Sequence, residues 1–293
     1  MNKKKVFLTG GEGFIGKNFK ELLSGKYIIL SPSVHELDLL DYKAVQEYLI
    51  ANNPDVVVHA AAVGVNRSTV DQQVDVLKNN LLMFYNLCAC KKYFGRMIVF
   101  GSGAEYNKNN NLHLVEEGFF GKSIPTDDYG LSKFTMAKLA ENIDNITHLR
   151  FFGVFGKYED YRIRFISNAV CRKIMGLPIT IKKNVFFDYI YIDDLIRIVD
   201  LFIENDYGAV HCNVGTGNAI DLLSLGKMVD EIGGGKKVGV LVTEEGLNNE
   251  YSCGIDRLLG VIGKFKFTPF EQAISKMFDY YKLNVKTLDK DIL

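Results

Sequence analysis

The segment that most constrains the fold lies near the start of the chain and reads LTGGEGFIG, residues 8–16. A short apolar run leads into it and predicts a buried strand, and a helix-like pattern follows it. Gly10, Gly13 and Gly16 recur at every third position between the two. Glycines at such a junction let the backbone turn tightly and let a phosphate approach the helix N-terminus. The segment predicts a nucleotide-binding βα turn, the alternative being a tight turn without a ligand.

Strand-like and helix-like segments alternate through the first half of the chain. Continuous apolar runs such as DVVVHAAA (55–62) and RMIVFGS (96–102) predict parallel strands that are buried on both faces. The predicted fold class is therefore α/β, a Rossmann-type doubly wound parallel sheet with a smaller mixed α/β substrate lobe. The predicted division gives 1–156 and about 186–220 to the larger, cofactor-binding domain, and about 157–185 and 221–293 to the smaller lobe.

The bulk composition argues against several classes of protein. The 35 basic residues balance 35 acidic ones, which disfavours recruitment of nucleic acid through overall charge. No run approaches the roughly 20 apolar residues of a membrane span, and the apolar stretch after MNKKK is too short for a secretory signal. The five cysteines are scattered without a CxxC pair, which disfavours a disulfide framework or a metal site. We expect a cytoplasmic protein that binds no nucleic acid, membrane or metal.

Three polar residues are positioned to carry chemistry. Tyr129 and Lys133 stand four apart in DDYGLSKF, which on a helix places both on one face. A nearby ammonium stabilises a phenolate, so Tyr129 could exchange a proton with a hydroxyl. Ser102 ends a predicted strand, where such sheets place ligands, and could bind the reacting oxygen. The alternatives are a serine in a turn and a pair on a helix surface.

The glycine segment resembles, over its whole length, the T-G-G-x-G-F-I-G signature of extended short-chain dehydrogenases/reductases. Ser102, Tyr129 and Lys133 look like that family's Ser-Tyr-Lys triad, and the resemblance is strongest through residue 156. It implies that these three residues are catalytic and that Lys133 also holds the nicotinamide ribose. The other residues predicted to contact the cofactor are Gly10, Gly13, Phe14, Ile15, Gly16, Ser31, Asp38, Leu39, Ala60, Ala61 and Ala62.

The end of the second predicted strand bears on the cofactor. An NAD-preferring enzyme usually has an acid there for the ribose 2′-hydroxyl, whereas this chain has Ser31 and Ser33. Lys17 and His35 are possible partners of a 2′-phosphate. We therefore expect NADP, with NAD as the alternative.

The two residues after Ser102 narrow the reaction that the resemblance implies. In the family, 4,6-dehydratases carry Asp-Glu there and GDP-fucose synthases carry a cysteine at the second position, but this chain has Gly103 and Ala104. Since alanine cannot give or take a proton, dehydration and 3,5-epimerisation by that route are disfavoured. We expect NADPH-dependent reduction of a 4-keto nucleotide sugar. The alternatives are a 4-epimerase or 4-dehydrogenase with tightly bound NAD, a reductase of small carbonyls, and a non-catalytic NADP-sensing protein.

The resemblance also implies a nucleotide-diphosphate sugar as substrate and a homodimer formed through two long helices, 76–93 and 129–143. On the substrate side, Gly153, Lys157 and Phe187 replace residues that relatives often carry. Basic residues that could restore a lost charge, or that are simply surface bases, are Arg162, Arg164, Lys182, Lys183 and Arg257.

Local capping patterns predict two helix starts in the second half. Asp193 or Asp194 is predicted to cap a helix, and Thr268 to cap the last one, with Pro269 in its first turn.

Glu105 is close to Ser102 in sequence, and we expect a structural role for it.

Overall fold

The computed structural model describes residues 3–64, 74–289 and 293. Its strands are β1 Lys5–Thr9, β2 Ile28–Leu30, β3 Val56–His59, β4 Arg96–Ser102, β5 Leu112–Val115, β6 Ile146–Phe151, β7 Gly153–Phe155, β8 Ile179–Asn184, β9 Phe186–Tyr191, β10 His211–Val214, β11 Ala219–Asp221, β12 Val240–Leu247 and β13 Tyr251–Cys253. Its helices of seven residues or more are α1 Phe14–Leu23, α2 Tyr42–Asn52, α3 Val76–Ala89, α4 Asp128–Ala140, α5 Phe165–Ile174, α6 Ile192–Glu204, α7 Leu222–Ile232, α8 Asp256–Ile262 and α9 Phe270–Leu283.

The central sheet has six parallel strands in the order β2-β1-β3-β4-β6-β10. β1 lies inside the sheet, with β2 on one side and β3 on the other. The strand order therefore reverses between β1 and β3, and the crevice above such a reversal is where doubly wound sheets bind ligands. This topology confirms the predicted Rossmann-type α/β fold.

The central strands are buried because each face packs against helices. Val6 and Leu8 of β1 belong to a core with α1 and α6, whereas Phe7 between them belongs to a core with α2, α3 and α4. This alternation is the ordinary pleat of a strand with two covered faces, and it explains the continuous apolar runs in the sequence. An aspartate caps the start of each helix on the second face, at Asp41, Asp75 and Asp127.

A second sheet has the order β11-β9-β13-β5, and β7 pairs with β9. Strand β12 pairs with β8 in a separate ribbon. The second sheet joins distant segments, since β5 lies at residues 112–115 and β13 at 251–253. It includes β5, β7 and β9, which fall in the ranges that the sequence assigns to the larger domain. The division into two lobes stays a prediction.

The capping predictions for α6 and α9 were wrong. The N-cap residues are Tyr191 and Pro269, and neither side chain caps its helix. Instead the Thr268 backbone N–H and hydroxyl both donate to the Asp194 carboxylate, each at 2.7 Å. The expected capping groups thus bind each other and tie the start of α6 to the start of α9. Within the described ranges, we find no helix long and apolar enough to cross a membrane.

Candidate active site

The glycine turn joins β1 to α1 at the point where the strand order reverses. Gly10 has a φ of +70°, and a Cβ there would lie 2.8 Å from the Cα of Ala61. A Cβ at Gly16 would lie 2.6 Å from the Cα of Gly11. At Gly13, the N-cap of α1, an added Cβ would meet, among the residues that the structure describes, only the Gly10 carbonyl oxygen, at 3.3 Å. The packing of the turn therefore explains Gly10 and Gly16, whereas Gly13 leaves an open approach to the helix N-terminus, as a phosphate site requires.

The ends of β1 and β3 are held together beside this turn. The Thr9 hydroxyl accepts hydrogen bonds from the backbone N–H groups of Ala60 and Ala61, at 3.1 and 3.0 Å, and lies 3.0 Å from Nδ1 of His59. Among the described residues, two buried polar atoms at this edge have no partner, Nε2 of His59 and the hydroxyl of Ser31. Open space at Gly13 and unpartnered polar atoms at two strand ends fit a dinucleotide lying across the crevice.

The remaining predicted cofactor residues line the same edge. Phe14 and Ile15 begin α1 half-buried, and Ala62 is exposed after β3. Asp38 is exposed and accepts a hydrogen bond from the backbone two residues on, at 2.9 Å, while the Leu39 carbonyl accepts one from Asn86, at 2.8 Å. The loop after β2 thereby keeps a defined position against α3.

An acid stands near the end of β2 that the sequence reasoning missed. The Glu36 carboxylate accepts hydrogen bonds from the backbone N–H and the hydroxyl of Ser33, at 2.7 and 2.9 Å. These bonds hold the pKa of Glu36 below its ordinary value. The sequence pattern at Glu36 is Ser-x-x-Glu, which is typical of a local turn or helix cap rather than of a strand end. The Ser33 hydroxyl is therefore already occupied by a carboxylate.

Ser102 and Tyr129 are brought together by a close contact between two turns. Ser102 ends β4, and its hydroxyl accepts the Ala104 N–H at 3.2 Å. Tyr129 lies in the first turn of α4, where the Asp127 carboxylate accepts the N–H of Gly130 at 2.9 Å. A Cβ at Gly130 would lie 3.1 Å from the carbonyl oxygen of Ala104. Glycine at 130 lets α4 start directly against the residues that follow Ser102, which the sequence reasoning did not foresee.

The electrostatics of these residues suit proton transfer. Burial raises the pKa of Tyr129, and a hydrogen bond with Ser102 opposes this shift. The Lys133 ammonium donates to the Phe100 carbonyl at 2.8 Å and lies 5.9 Å from the centre of the Tyr129 ring. Burial lowers the pKa of Lys133 to about 8, against the opposing charge of Glu105. At neutral pH the site therefore holds a protonated phenol beside an ammonium that is close to its titration point.

Glu105 lies fully buried beneath these groups. Its carboxylate accepts the Ser102 N–H at 2.9 Å and the Arg150 Nε–H at 2.5 Å, and it lies 3.3 Å from Nε2 of His148. Burial favours the neutral acid, but His148 and Arg150 hold the pKa of Glu105 below its ordinary value. The expected structural role agrees with this geometry. The partners of Glu105 could not be predicted from local sequence, because they lie on the neighbouring strand, β6.

Tyr251 is a second residue that the sequence reasoning missed. It lies on β13, and its hydroxyl forms a hydrogen bond with Ser102. Its ring centre is 4.8 Å from that of Phe152 and 5.6 Å from that of Phe187. Nothing in the segment NNEYSCGIDR predicts this placement, which depends on how β13 enters the second sheet.

Within the described part of the chain, three of the basic residues singled out on the substrate side form ion pairs and two do not. Arg162 binds the Asp160 carboxylate at 2.7 Å, and Lys182 and Arg257 lie 3.5 and 3.8 Å from Glu244 and Glu117. Lys183 lies half-buried on β8. Arg164 is exposed at the start of α5, and its positive charge lowers the pKa of Tyr129. Arg164 is therefore the basic residue in this set that acts on the site.

The reversed strand order, the glycine turn and the Ser-Tyr-Lys cluster together define a short-chain dehydrogenase/reductase type of dinucleotide-binding protein. Residues 6–215 match the model of the NAD dependent epimerase/dehydratase family, and the chain belongs to that family.

Individual relatives extend this similarity to the whole chain. A GDP-L-colitose synthase from Yersinia pseudotuberculosis is 27% identical over 97% of this chain and 100% of its own length. Among solved structures, UDP-glucose 4-epimerase from Thermotoga maritima, with UDP-glucose, has a TM-score of 0.81 at 20% identity and covers 96% of this chain and 99% of its own. A GDP-mannoheptose C4 reductase from Campylobacter jejuni, with NADP bound, has the same TM-score, identity and coverage. At this identity the two structures show a shared fold.

Proposed function

We propose that this protein reduces the keto group of a 4-keto nucleotide sugar with NADPH. The observation that carries the proposal is the cluster of Ser102, Tyr129 and Lys133 at the carboxyl edge of the sheet, followed by Gly103 and Ala104, which offer no acid or base. The full-length similarity to a GDP-L-colitose synthase supports a nucleotide sugar as substrate.

Each residue of the cluster has a role in such a reduction. The glycine turn, Gly10 to Gly16, would hold the nicotinamide dinucleotide, which when bound would supply the hydride for the carbonyl carbon. Tyr129 donates its proton to the carbonyl oxygen, which the Ser102 hydroxyl holds in place. The Lys133 ammonium stabilises the phenolate that remains, and solvent returns the proton. The product is an alcohol.

Tyr129→Phe tests the reaction. Because phenylalanine keeps the ring and removes the proton donor, we expect kcat to fall by about 10³-fold or more while the Kd for NADPH stays within about twofold. Tyr207→Phe, far from the site, serves as the control. The assay follows NADPH oxidation with 4-keto nucleotide sugars. Full activity in Tyr129→Phe would contradict the proposed role, and absence of thermal stabilisation by any nucleoside diphosphate would exclude a nucleotide-sugar substrate.

NADP is the proposed cofactor because the buried Ser31 hydroxyl, which follows β2, has no hydrogen-bond partner among the described residues. The Lys17 ammonium lies 5.9 Å from the centre of the Tyr158 ring and lends no support to this choice. Glu36 carries the opposite charge and should weaken binding of a 2′-phosphate. Fluorescence titration should therefore give a lower Kd for NADPH than for NADH, and Glu36→Ala should lower the NADPH value further.

The second candidate function is 4-epimerisation with tightly bound NAD. Glu36 favours it, since an acid near the end of β2 is typical of NAD-preferring sheets. The cofactor content of the purified protein separates the two: retained NAD(H) supports the epimerase, and an empty site that oxidises NADPH supports the reductase.

A further inference from the structure

The position after Ser102 lacks a side chain, and another part of the chain fills the space. A Cβ at Gly103 would lie 2.5 Å from the Tyr251 hydroxyl and 2.8 Å from two ring atoms of Phe152. Both separations are too short for a real Cβ. The volume that a side chain at 103 would occupy, next to Ser102, is therefore taken by a phenol that arrives from β13.

The backbone and the neighbouring rings fix this phenol. Tyr251 pairs with Leu112 of β5 and with Phe187 of β9, so β13 is held on both sides. The ring also packs against Phe152 and Phe187, at 4.8 and 5.6 Å between centres. Tyr251 therefore lies between the backbone at Gly103 and the ring of Phe187.

The chemistry of the hydroxyl suits a neutral hydrogen-bond donor. It forms a hydrogen bond with Ser102, and the Tyr129 phenol is close enough to influence its ionisation. Burial raises the pKa of Tyr251, so the phenol keeps its proton throughout the neutral range. Taken as a whole, the Tyr251 residue is half-buried.

We propose that Tyr251 contacts the sugar of the substrate and donates a hydrogen bond to it beside the reacting carbon. The site then has three hydroxyl groups, two from the central sheet and α4 and one from the second sheet. This inference rests on the proposed function, because it assumes a nucleotide sugar in the crevice.

A double-mutant comparison separates direct contact from an effect through Ser102. Tyr251→Phe is made in the parent and in Ser102→Ala, with Tyr207→Phe as the matched control, and kcat and KM are measured with NADPH and a 4-keto nucleotide sugar. We expect Tyr251→Phe to lower kcat by about 10- to 100-fold in both backgrounds, as loss of one positioned donor does. An unchanged kcat, or a loss confined to the parent background, would overturn the proposal.

A binding measurement decides the question even if the proposed reaction fails. With NADP⁺ present, calorimetry compares GDP-mannose with GDP and UDP-glucose with UDP. Tyr251→Phe should weaken the sugar nucleotide that the parent binds by about fivefold or more and leave the nucleoside diphosphate within about twofold, since one hydrogen bond contributes about 1 kcal/mol. Equal affinities in parent and variant would refute the sugar contact. A parent that binds a sugar nucleotide without turning over any 4-keto sugar would refute the reaction alone, and a parent that binds none would refute both.

Discussion

Single charged side chains set the conditions under which the site works. Lys133 is buried and has a pKa lowered to about 8, and Arg164 is exposed with a charge that acts on Tyr129. Lys133 therefore loses its charge just above neutral pH. A pH profile therefore tests the role of Lys133, whereas the KM for the substrate tests the role of Arg164.

The lowered pKa of Lys133 predicts an alkaline limit to catalysis. Since the ammonium is the useful form, kcat/KM for reduction should fall as the pH rises through about 8. Lys133→Arg keeps the charge at all accessible pH values and should move this limb upward, even though its maximal rate is lower. The effect is measured as kcat/KM between pH 6 and pH 10, after checking that the protein stays folded at both extremes. If kcat/KM of Lys133→Arg falls at the same pH as that of the parent, another group is responsible for the alkaline limit.

Arg164 predicts a contact with the anionic part of the substrate. Its replacement by alanine should raise KM for the nucleotide sugar by about tenfold with little change in kcat, because a charge-assisted hydrogen bond contributes about 1.5 kcal/mol or more. Arg162→Ala is the matched control, since Arg162 is already paired with Asp160. Equal effects of the two substitutions on KM would contradict a specific role for Arg164.

At the scale of elements, the end of β4 depends on the neighbouring strand β6. Glu105 is the third residue of a short 3₁₀ turn, Gly103–Tyr106, in which its carboxylate and the Ser102 hydroxyl each accept a backbone N–H. The same carboxylate binds Arg150 on β6. The turn that follows Ser102 is thus held against β6 by a buried ion pair.

Glu105→Gln should destabilise the protein in a pH-dependent way. Leaving Arg150 buried without its partner charge should cost about 3 kcal/mol of unfolding free energy at pH 7. The folded pKa of Glu105 lies below the reference value of 4.5, so its stabilisation is present above that pH and is lost as the pH falls through the folded pKa. Urea unfolding at pH 7 and pH 4 should show a smaller difference at pH 4. Glu47→Gln, an exposed control on α2, should change stability by less than about 0.5 kcal/mol.

Local patterns in the sequence predicted elements better than the contacts between them. The glycine spacing and the Tyr129–Lys133 spacing are short-range, so the turn, α4 and the parallel strands could be read directly. Thr268 and Asp194 have the residue types of helix caps, but each finds the other across the fold, where a tertiary hydrogen bond replaces a local one. Glu36 was missed for the related reason that a Ser-x-x-Glu turn gives no sign of the strand end beside it.

At the scale of the whole molecule, two sheets contribute to one site. The parallel sheet supplies the glycine turn and Ser102, while the second sheet supplies Tyr251 through β13. The pairing of β13 with β5 joins residues far apart in the chain and leaves no periodic signal at either segment. Short-range patterns therefore predict the glycine turn, whereas the placement of Tyr251 depends on long-range strand pairing and could not be predicted.

The homodimer implied by the family resemblance predicts a specific interface on α3 and α4. Tyr85 of α3 is 48% exposed, and in such a dimer it would be covered. Tyr85→Asp should then shift the protein toward monomer in sedimentation velocity, because an unpaired charge in an apolar contact is costly. Tyr42→Asp, at 44% exposure on α2, should leave the mass unchanged. A parent that sediments as a monomer would show the dimer prediction to be wrong.

The pairing of β5 with β13 also has a consequence for how the protein is made. A ribosome releases the glycine turn, Ser102, Tyr129 and Lys133 long before it releases residue 251. The strands of the parallel sheet are all synthesised by residue 214, whereas β5 cannot pair with β13 until synthesis is nearly finished. A chain interrupted before residue 251 would lack the Tyr251 hydroxyl and also α9, whose Ile274 and Met277 belong to the same core as Val6 and Leu8.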